Sequence, residues 1–218
     1  QQAETFLNWC NLHLSDEDKL SLDNFETAFV DGSILCKLAQ KLNSTTFKFK
    51  DKATFKIQQV ENITKALDAF KAAGVTVAGV GAPDVNNGNV KILLPLLWRL
   101  VSHYQISPIV KKLGNGAVKK VLFEWMRNQV HGYEGVTLSD LTRSVDDGYA
   151  WCALAHARKA FVNSKDELPS SDEERAQKAF DELKAQGVPS ILSAQSRPTD
   201  GKCALAYIAV VAANIADV

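Results

Sequence analysis

One feature limits the fold of this chain more than any other: its sequence landmarks occur twice, at a nearly constant spacing. Trp9 lies in an apolar segment that resembles the segment around Trp125, 116 residues later. The pairs Asp31-Gly32 and Asp147-Gly148 keep the same spacing. A pattern that repeats in this way is typical of a duplicated structural unit. We therefore predict two copies of one small domain.

Later landmarks repeat at a slightly shorter distance. Gly74 and Gly187 are 113 residues apart, and Gly88 and Gly201 keep that distance. A single deletion of three residues between the second and third landmarks explains the change. The whole chain is then accounted for by two copies.

Turn-forming residues mark the connection between the copies. Pro108 and the segment Gly114-Asn115-Gly116 fall between the apolar runs of the two copies. We predict a first domain over 1–106, a linker over 107–116 and a second domain over 117–218. The lysines of the linker leave two alternatives open, a solvated middle or an extension of the preceding helix.

Within the first copy, apolar residues recur at the spacing of an α-helix. This spacing predicts helices near 6–14, 34–42 and 60–70. A fourth helix, from about 89 to 104, is apolar on nearly every side, which is typical of a central helix. The second copy repeats the scheme, and no segment shows sustained strand alternation. The predicted fold class is all-α, with two tandem helical domains of about four main helices each.

Composition and charge exclude several classes of protein. The 25 Lys and Arg residues equal the 25 Asp and Glu residues, so no overall field attracts nucleic acid, and we predict no nucleic-acid partner. Spanning a bilayer takes about 20 apolar residues, and the apolar runs at 92–101 and 203–213 are shorter, so the chain is not transmembrane. The four cysteines lie far apart without C-x-x-C spacing, which indicates reduced core residues of an intracellular protein.

The sequence lacks the signatures of catalysis. None of the four histidines has a companion ligand at metal-binding spacing, and no nucleophile elbow, P-loop or zinc-protease motif occurs. We therefore expect no enzymatic activity, no metal and no cofactor. Two linked copies of one domain instead favour binding to a large partner, because linkage raises the effective concentration of the second copy.

Two clusters of lysines are candidates for electrostatic binding, although such clusters are often only solvated surface. The first has no acidic residue and contains Lys111, Lys112, Lys119 and Lys120. The second surrounds Asp51 and contains Lys48, Lys50, Lys52 and Lys56.

Several segments resemble a known family. The segment 6–14, the pair Asp31-Gly32 before a leucine-rich helix, and the segment 85–106 resemble the tandem calponin-homology actin-binding domain of filamin, α-actinin and spectrin. The resemblance covers nearly the whole chain, in the right order. Pro95 inside a helix and Val145 in place of a common tryptophan depart from the family pattern. Because the chain has no initiator Met, we expect it to be part of a longer crosslinking or anchoring protein.

The resemblance implies binding to filamentous actin in the cytoplasm, at the actin cortex of the cytoskeleton. The first copy would be the main binder, and the second would adjust the affinity. By position, the implied contact segments lie near 3–14, 89–106 and 117–130. The residues implied within them are Asn8, Leu12, Lys91, Arg99, Ser102, His103, Lys119, Lys120 and Arg127. A dimeric parent protein, joined through regions outside this chain, is compatible with the same resemblance.

The resemblance also places Trp98 and Lys119 where the two domains of the family can meet. A lysine over an indole ring contributes roughly 0.5–2 kcal/mol, so this pair could form an interdomain latch. The alternative is that Trp98 packs in the core of its own domain. Two other partners stay open: anionic phospholipid headgroups such as phosphoinositides, bound by Lys111 and Lys112, and microtubules, which suit single copies better.

Overall fold

The computed structural model describes residues 1–133, 135–157, 168–195 and 197–215. Within these ranges every regular element is helical, which confirms the all-α prediction. The chain divides into an N-terminal unit, Phe6–Tyr104, and a C-terminal unit, Gln1–Thr5 with Gln105–Val218. The predicted boundaries at 106 and 117 stay a prediction.

The N-terminal unit contains most of the first helix and four further helices, and these four pack in chain order. They are α1 (Gln2–Asn11), α2 (Ser33–Asn43), α3 (Lys56–Ala72), α4 (Ala82–Asn86) and α5 (Val90–Val101). Short 3-10 turns occupy Asp16–Asp18 and Leu22–Asn24. Helix α2 packs on α3, α3 on α4, and α4 on α5. Phe6 and Trp9 of α1 are fully buried, as the apolar spacing of that segment predicts.

Helix α5 is the most apolar element of this unit, and it contains a proline. Its inner residues are Leu93, Leu96, Leu97, Leu100 and Val101. Pro95 is exposed, and it removes only the hydrogen bond that an N–H at this position would give to the Lys91 carbonyl. The α-helix continues through Pro95 to Val101, and a π-helical turn, Ser102–Ile106, follows it.

The first Asp-Gly landmark lies at the start of α2. The Ser33 N–H donates to Asp31 Oδ1 at 2.8 Å, and Gly32 adopts a φ of 75°. A Cβ added at Gly32 would lie 2.7 Å from the backbone nitrogen of Ile63 in α3. Glycine is therefore required here for two reasons, the left-handed backbone and the close approach of α2 to α3.

The C-terminal unit repeats this arrangement with additional helices. They are α6 (Ser107–Leu113), α7 (Val118–Gln129), α8 (Arg143–Asp146), α9 (Tyr149–His156), α10 (Asp172–Ala185) and α11 (Gly201–Ile215). Helix α9 packs on α10, and α11 packs on α6 and α7. Trp151, Phe180 and Tyr207 form an aromatic cluster with ring centroids 5.1–5.5 Å apart.

The second Asp-Gly landmark also starts a helix that packs closely against its neighbour. The Tyr149 N–H donates to Asp147 Oδ1 at 3.0 Å, and Gly148 has a φ of 79°. A Cβ at Gly148 would lie 2.9 Å from the backbone nitrogen of Ala176 in α10. The repeated Asp-Gly pair therefore marks, in each copy, a helix start that packs closely against a neighbouring helix.

The segment predicted as a linker contains helix α6. Ile109 and Val110 on this helix are buried, whereas Lys111 and Lys112 in its last turn are exposed. The first part of the segment is therefore helical, and its two lysines are exposed to solvent.

The last repeated landmark has a different place in each copy. Gly88 precedes α5 with a φ of 68°, whereas Gly201 is the first residue of α11. The residues that cap these helices are Asn89, which accepts from the Lys91 N–H, and Asp200, which accepts from the Lys202 N–H. The matching of Gly88 with Gly201 is therefore wrong by two residues, because the loop before α11 is shorter.

The first residues of the chain belong to the C-terminal unit. The Asp200 N–H donates to Gln1 Oε1 at 2.7 Å, and Gln2 Nε2 donates to Asp200 Oδ2 at 2.9 Å. No pattern in the sequence predicts this long-range contact.

All four cysteines are buried free thiols, as predicted for core residues. Burial raises the pKa of Cys10, Cys36 and Cys203 to about 12 and that of Cys152 to about 11, so all four stay protonated near neutral pH. None of the helices that the structure describes is long and apolar enough to cross a membrane.

Candidate functional site

The residues predicted to contact a partner lie on three helical segments. Helix α1 from Phe6 onward, helix α5 and the π-helical turn as far as Tyr104 belong to the N-terminal unit, and α7 belongs to the C-terminal unit.

Helix α1 buries one side and presents Leu12 just after its end. Trp9 and Cys10 are fully buried, Asn8 is half-buried, and Leu12 is 40% exposed. The Leu12 N–H donates to the Trp9 carbonyl at 3.1 Å, which fixes the chain at this point. Leu12 therefore offers an ordered apolar contact.

His13 follows Leu12 and points inward. Its ring packs edge-on against the Trp9 indole, with the ring centroids 4.8 Å apart. Its buried Nε2 has no hydrogen-bond partner within the described part of the chain. Burial, together with the nearby charge of Lys41, lowers the pKa of His13, so the ring is neutral at neutral pH.

Helix α5 and the turn after it carry the second set of predicted residues. Lys91 is exposed, and Ser102 and His103 are half-buried. Arg99 is also half-buried, and its Nη1 donates to the carbonyls of Thr76 at 3.2 Å and Ala78 at 2.9 Å. Arg99 therefore orders the segment after α3, a contact that the sequence did not indicate.

Trp98 has a clear place in its own unit. Its half-buried indole stacks on the Phe6 ring, with centroids 5.9 Å apart and planes 28° apart. This contact is the one expected if Trp98 packs within its own domain. The latch between Trp98 and Lys119 stays a prediction.

Helix α7 is amphipathic, with a basic outer side. Val121, Leu122 and Met126 are buried, whereas Lys119, Lys120 and Arg127 are exposed. Lys120 Nζ lies 4.0 Å from Glu124 Oε1, an exposed pair that contributes little to stability. The Arg127 guanidinium lies 5.8 Å from the centroid of the Phe123 ring.

An ion-pair cluster in the N-terminal unit was not predicted. Lys37 Nζ lies 2.6 Å from Asp18 Oδ1 and 3.2 Å from Asp51 Oδ1, beside a surface cleft of about 430 Å³. Burial opposes the charge on Asp18, but hydrogen bonds from Lys37 and Ser15 outweigh it and lower the pKa of that carboxyl group. Likewise, burial opposes the charge on Lys37, but its two carboxylate partners raise its pKa. Lys37 thus joins two carboxylates from different segments of the unit, Asp18 before α2 and Asp51 before α3.

Arg175 is the second contact centre that the sequence did not reveal. It is only 4% exposed, and its guanidinium lies 4.3 Å from the centroid of the Tyr149 ring. Its donors reach the carbonyls of Asp147, Pro169 and Ser170, each at 2.7 Å. Asn62, 113 residues earlier, makes the equivalent contacts in the first copy, since it donates to the carbonyls of Asp31 and Lys50. The repeat spacing was the only sequence signal for this role.

The described residues contain no group of three or more His, Cys, Asp or Glu side chains arranged to hold a metal ion. Among the described residues, Phe55 and Ile57 are the most exposed large apolar side chains, and the others are Leu12, Leu22 and Val118.

Known proteins include relatives that are similar to this chain over most of its length. The chain is 28% identical over 217 residues to α-actinin A of Dictyostelium discoideum, covering 95% of this chain and 25% of that protein. It is 30% identical over 159 residues to sarcomeric α-actinin of Drosophila melanogaster, covering 73% of this chain and 17% of that protein. The chain thus spans a quarter or less of the length of these relatives.

A solved structure shows the same fold. The actin-crosslinking core of Schizosaccharomyces pombe fimbrin matches 97% of this chain and 47% of its own with a TM-score of 0.76, at 19% identity. The family model described as the calponin homology (CH) domain matches residues 1–106 and again residues 116–211. The chain therefore belongs to the calponin homology domain family, with two such domains in tandem.

Proposed function

We propose that this chain binds filamentous actin, as one module of a larger crosslinking or anchoring protein of the cytoplasmic cytoskeleton. The observation that carries the proposal is the tandem pair of CH domains, aligned with α-actinin over 95% of this chain. The fimbrin fragment that shares the fold is described as an actin-crosslinking core. Family membership also supports a binding role without enzymatic activity.

The N-terminal domain supplies most of the proposed contact. Leu12 is an ordered apolar side chain after α1, and Lys91 is an exposed cation at the start of α5. His103, Ser102 and Asn8 extend these two surfaces. Apolar side chains that lose water on binding contribute affinity, whereas exposed charges mainly speed association and set orientation.

The C-terminal domain contributes the basic side of α7. Lys119, Lys120 and Arg127 are all exposed on this helix. Exposed charges at the edge of an interface act chiefly on the association rate. This domain would therefore adjust the affinity for filaments, and the N-terminal domain would supply most of it. Arg99 acts differently, by ordering the segment around Ala78 in the N-terminal domain.

Co-sedimentation with actin filaments at micromolar concentration tests the proposal. We expect saturable pelleting of the chain, and weaker pelleting of Leu12→Asp and Lys91→Glu, by about tenfold in Kd for each. Lys184→Glu is the matched control for Lys91→Glu, since Lys184 is an exposed lysine of α10 outside the proposed surfaces. Failure of the unmodified chain to pellet refutes the proposal.

The same assay tests the latch. If Lys119 lies over Trp98 and holds the two domains together, Lys119→Glu raises the affinity for filaments by about 2- to 30-fold, the range that a cation–π contact allows. If Lys119 contacts actin directly, the same change lowers the affinity. An unchanged affinity contradicts both roles.

Anionic headgroups are the alternative partner, through Lys111 and Lys112. Both lysines are exposed in the last turn of α6 and form no ion pair with the residues described. Flotation of the chain with anionic vesicles tests this role. Binding that is insensitive to salt, or that survives Lys111→Ala/Lys112→Ala, excludes it.

A further inference from the structure

The segment between α2 and α3 alternates like a β-strand, although every regular element that the structure describes is helical. Over residues 45–50 the backbone has neither a helical turn nor a bend. Phe47 and Phe49 are half-buried, with their ring centroids 6.3 Å apart, whereas Lys48 and Lys50 are exposed. Successive side chains of an extended chain point to opposite faces, so the rings lie on one face and the lysines on the other. We call residues 45–50 the extended segment.

The C-terminal end of the extended segment is already paired, by a side-chain amide. The Lys50 N–H donates to Asn62 Oδ1 at 3.0 Å, and Asn62 Nδ2 donates to the Lys50 carbonyl at 2.8 Å. The amide of Asn62 therefore binds the backbone of Lys50 as a neighbouring strand would. Alternate residues of a strand direct their N–H and C=O groups to the same edge. Those of Lys48 and Thr46 consequently face the edge on which Asn62 lies.

The rest of that edge is open. The backbone N–H and carbonyl groups of Thr46 and Lys48 form no hydrogen bond with any residue that the structure describes. On the opposite edge, the Phe47 carbonyl accepts from Gln40 Nε2 at 2.7 Å. The domain thus holds the segment at one edge and at its end, and leaves a row of backbone groups unpaired. Such a row is a template to which another extended chain can add.

A cleft of about 230 Å³ lies between the extended segment and α3. Its walls include residues 48–50 on one side and Gln58, Glu61 and Lys65 on the other. Lys65 Nζ neutralises Glu61 Oε1 at 2.7 Å, whereas neither lysine of the extended segment forms an ion pair with a described residue, so the cleft is positive. The buried Oε1 atom of Gln58 also has no hydrogen-bond partner among the described residues. Buried acceptors are normally paired, so this atom lacks a donor that a bound chain would bring.

We propose that the extended segment binds an extended peptide of a partner protein, which adds to it as an antiparallel strand. A row of backbone donors and acceptors selects a peptide, because another backbone repeats N–H and C=O groups at the same interval. Residues directly opposite in an antiparallel pair have their side chains on the same face. The partner residue opposite Lys48 therefore lies with the lysines, where an acidic side chain complements them. Its neighbours lie with Phe47 and Phe49 and are apolar.

The partner sequence thus alternates acidic and apolar residues, and a short synthetic peptide can represent it. The probe is a capped peptide of about six residues, an ordinary strand length, in which glutamate and valine alternate. This proposal does not depend on actin binding.

Hydrogen exchange measured by NMR gives a direct test. In the free chain we expect the Lys50 amide to be protected and the amides of Thr46 and Lys48 to exchange rapidly, because only the first is hydrogen-bonded. The peptide should slow exchange at Thr46 and Lys48 by about tenfold or more and leave the Phe49 amide, on the other edge, unchanged. A peptide of alternating lysine and valine should have no effect. No protection by the glutamate peptide overturns the proposal.

Methylated peptides separate strand addition from simple charge attraction. The glutamate opposite Lys48 exchanges both backbone hydrogen bonds with it, so N-methylation of the glutamates removes donors that the pairing needs. N-methylation of the valines removes donors that face away. We expect the first peptide to bind about tenfold more weakly than the unmethylated one, and the second to bind within about threefold of it. Equal losses for the two peptides contradict the strand geometry.

Charge-matched variants of the chain identify the surface. Lys48→Glu/Lys50→Glu should weaken binding of the glutamate peptide by about tenfold or more, because attractive cross-strand pairs become repulsive. Lys111→Glu/Lys112→Glu changes the charge equally at exposed lysines of α6 and should leave peptide binding within about twofold, since salt screens distant charges. Equal losses for the two pairs overturn the assignment of this surface.

Co-sedimentation separates this surface from the proposed actin contacts. We expect Lys48→Glu/Lys50→Glu to pellet with actin filaments as the unmodified chain does. If the double variant instead pellets less well and still binds the glutamate peptide normally, the extended segment contacts actin and the proposal is wrong. If the unmodified chain does not pellet at all, the actin proposal fails and the peptide measurements still decide this one.

Discussion

The close approach of α2 to α3 predicts a sharp difference between two glycine substitutions in the N-terminal domain. Gly32 and Gly79 have nearly the same positive φ, 75° and 76°. A Cβ at Gly32 meets Asn62 Cβ and the Ile63 backbone nitrogen, both at 2.7 Å, whereas a Cβ at Gly79 meets nothing within 4 Å. The two sites therefore share the conformational cost of an L residue and differ in the steric cost.

The magnitudes follow from these distances. A left-handed conformation costs a non-glycine residue about 1–2 kcal/mol, which applies to both Gly32→Ala and Gly79→Ala. A contact below 3.0 Å with backbone forces α2 and α3 apart, and such overpacking adds about 1–3 kcal/mol. We expect the free energy of unfolding to fall by about 1–2 kcal/mol for Gly79→Ala and by about 2–5 kcal/mol for Gly32→Ala.

Hydrogen exchange measured on peptides from α2 and α3 is the appropriate assay, because a chain with two domains need not unfold in one step. The free energy of opening at amides of these helices should drop further for Gly32→Ala than for Gly79→Ala. Equal losses would show that only the backbone conformation matters at Gly32. They would refute the explanation of the Asp-Gly landmark by close packing.

Three further changes test other contacts. Arg175→Leu leaves the carbonyls that it now binds without donors, so thermal unfolding should show a loss of about 3–5 kcal/mol, and a loss below about 1 kcal/mol contradicts this role. Lys37→Met should raise the pKa of Asp18 in an NMR titration. The stability that the depressed pKa confers is fully present above the usual value of about 3.9 and is lost as the pH falls from there through the lower pKa of the folded state. The pKa of His13 is also depressed, so the unfolded chain binds its proton first and stability should fall as the pH drops below about 6.5. His13→Phe should remove that part of the pH dependence in urea unfolding at about pH 7.5 and about pH 5.5; an unchanged dependence would contradict it.

The helical repeat could be predicted from the sequence because it rests on local patterns. Apolar spacing within a helix reports which side is buried, and the Asp-Gly pairs report a helix start that needs a left-handed residue. Gly74 and Gly187 end α3 and α10 with φ values of 92° and 86°, as predicted from their position after apolar runs. In each case the residue types alone determine the local backbone.

Most of the contacts that the sequence did not reveal join residues far apart in the chain. Gln1 and Gln2 bind Asp200 at the opposite end of the chain, and Arg175 is buried although its neighbours Glu173 and Glu174 are exposed. A charged residue in an acidic segment is normally solvated, and only the surrounding carbonyl groups make its burial favourable. Such information depends on tertiary structure, which local spacing does not encode.

Surface function is harder to predict than fold for the same reason. The lysines around Asp51 were visible in the sequence, but the exposure of Phe55 and Ile57 was not. Apolar residues at the start of a helix would normally be assigned to the core. Their projection depends on the ties between the loop and α3, through Asn62 and Gln59.

The two copies share the contacts that hold the loop before the third helix, but they differ in the surface around that loop. In the first copy, Asn62 ties the loop before α3 to the helix, and this region presents lysines and the exposed side chains of Phe55 and Ile57. In the second copy, Arg175 ties down the corresponding loop, but α10 begins with the acidic segment Asp172–Glu174. The equivalent helix starts therefore carry opposite charge, basic in the first copy and acidic in the second, although the contacts beneath them are alike.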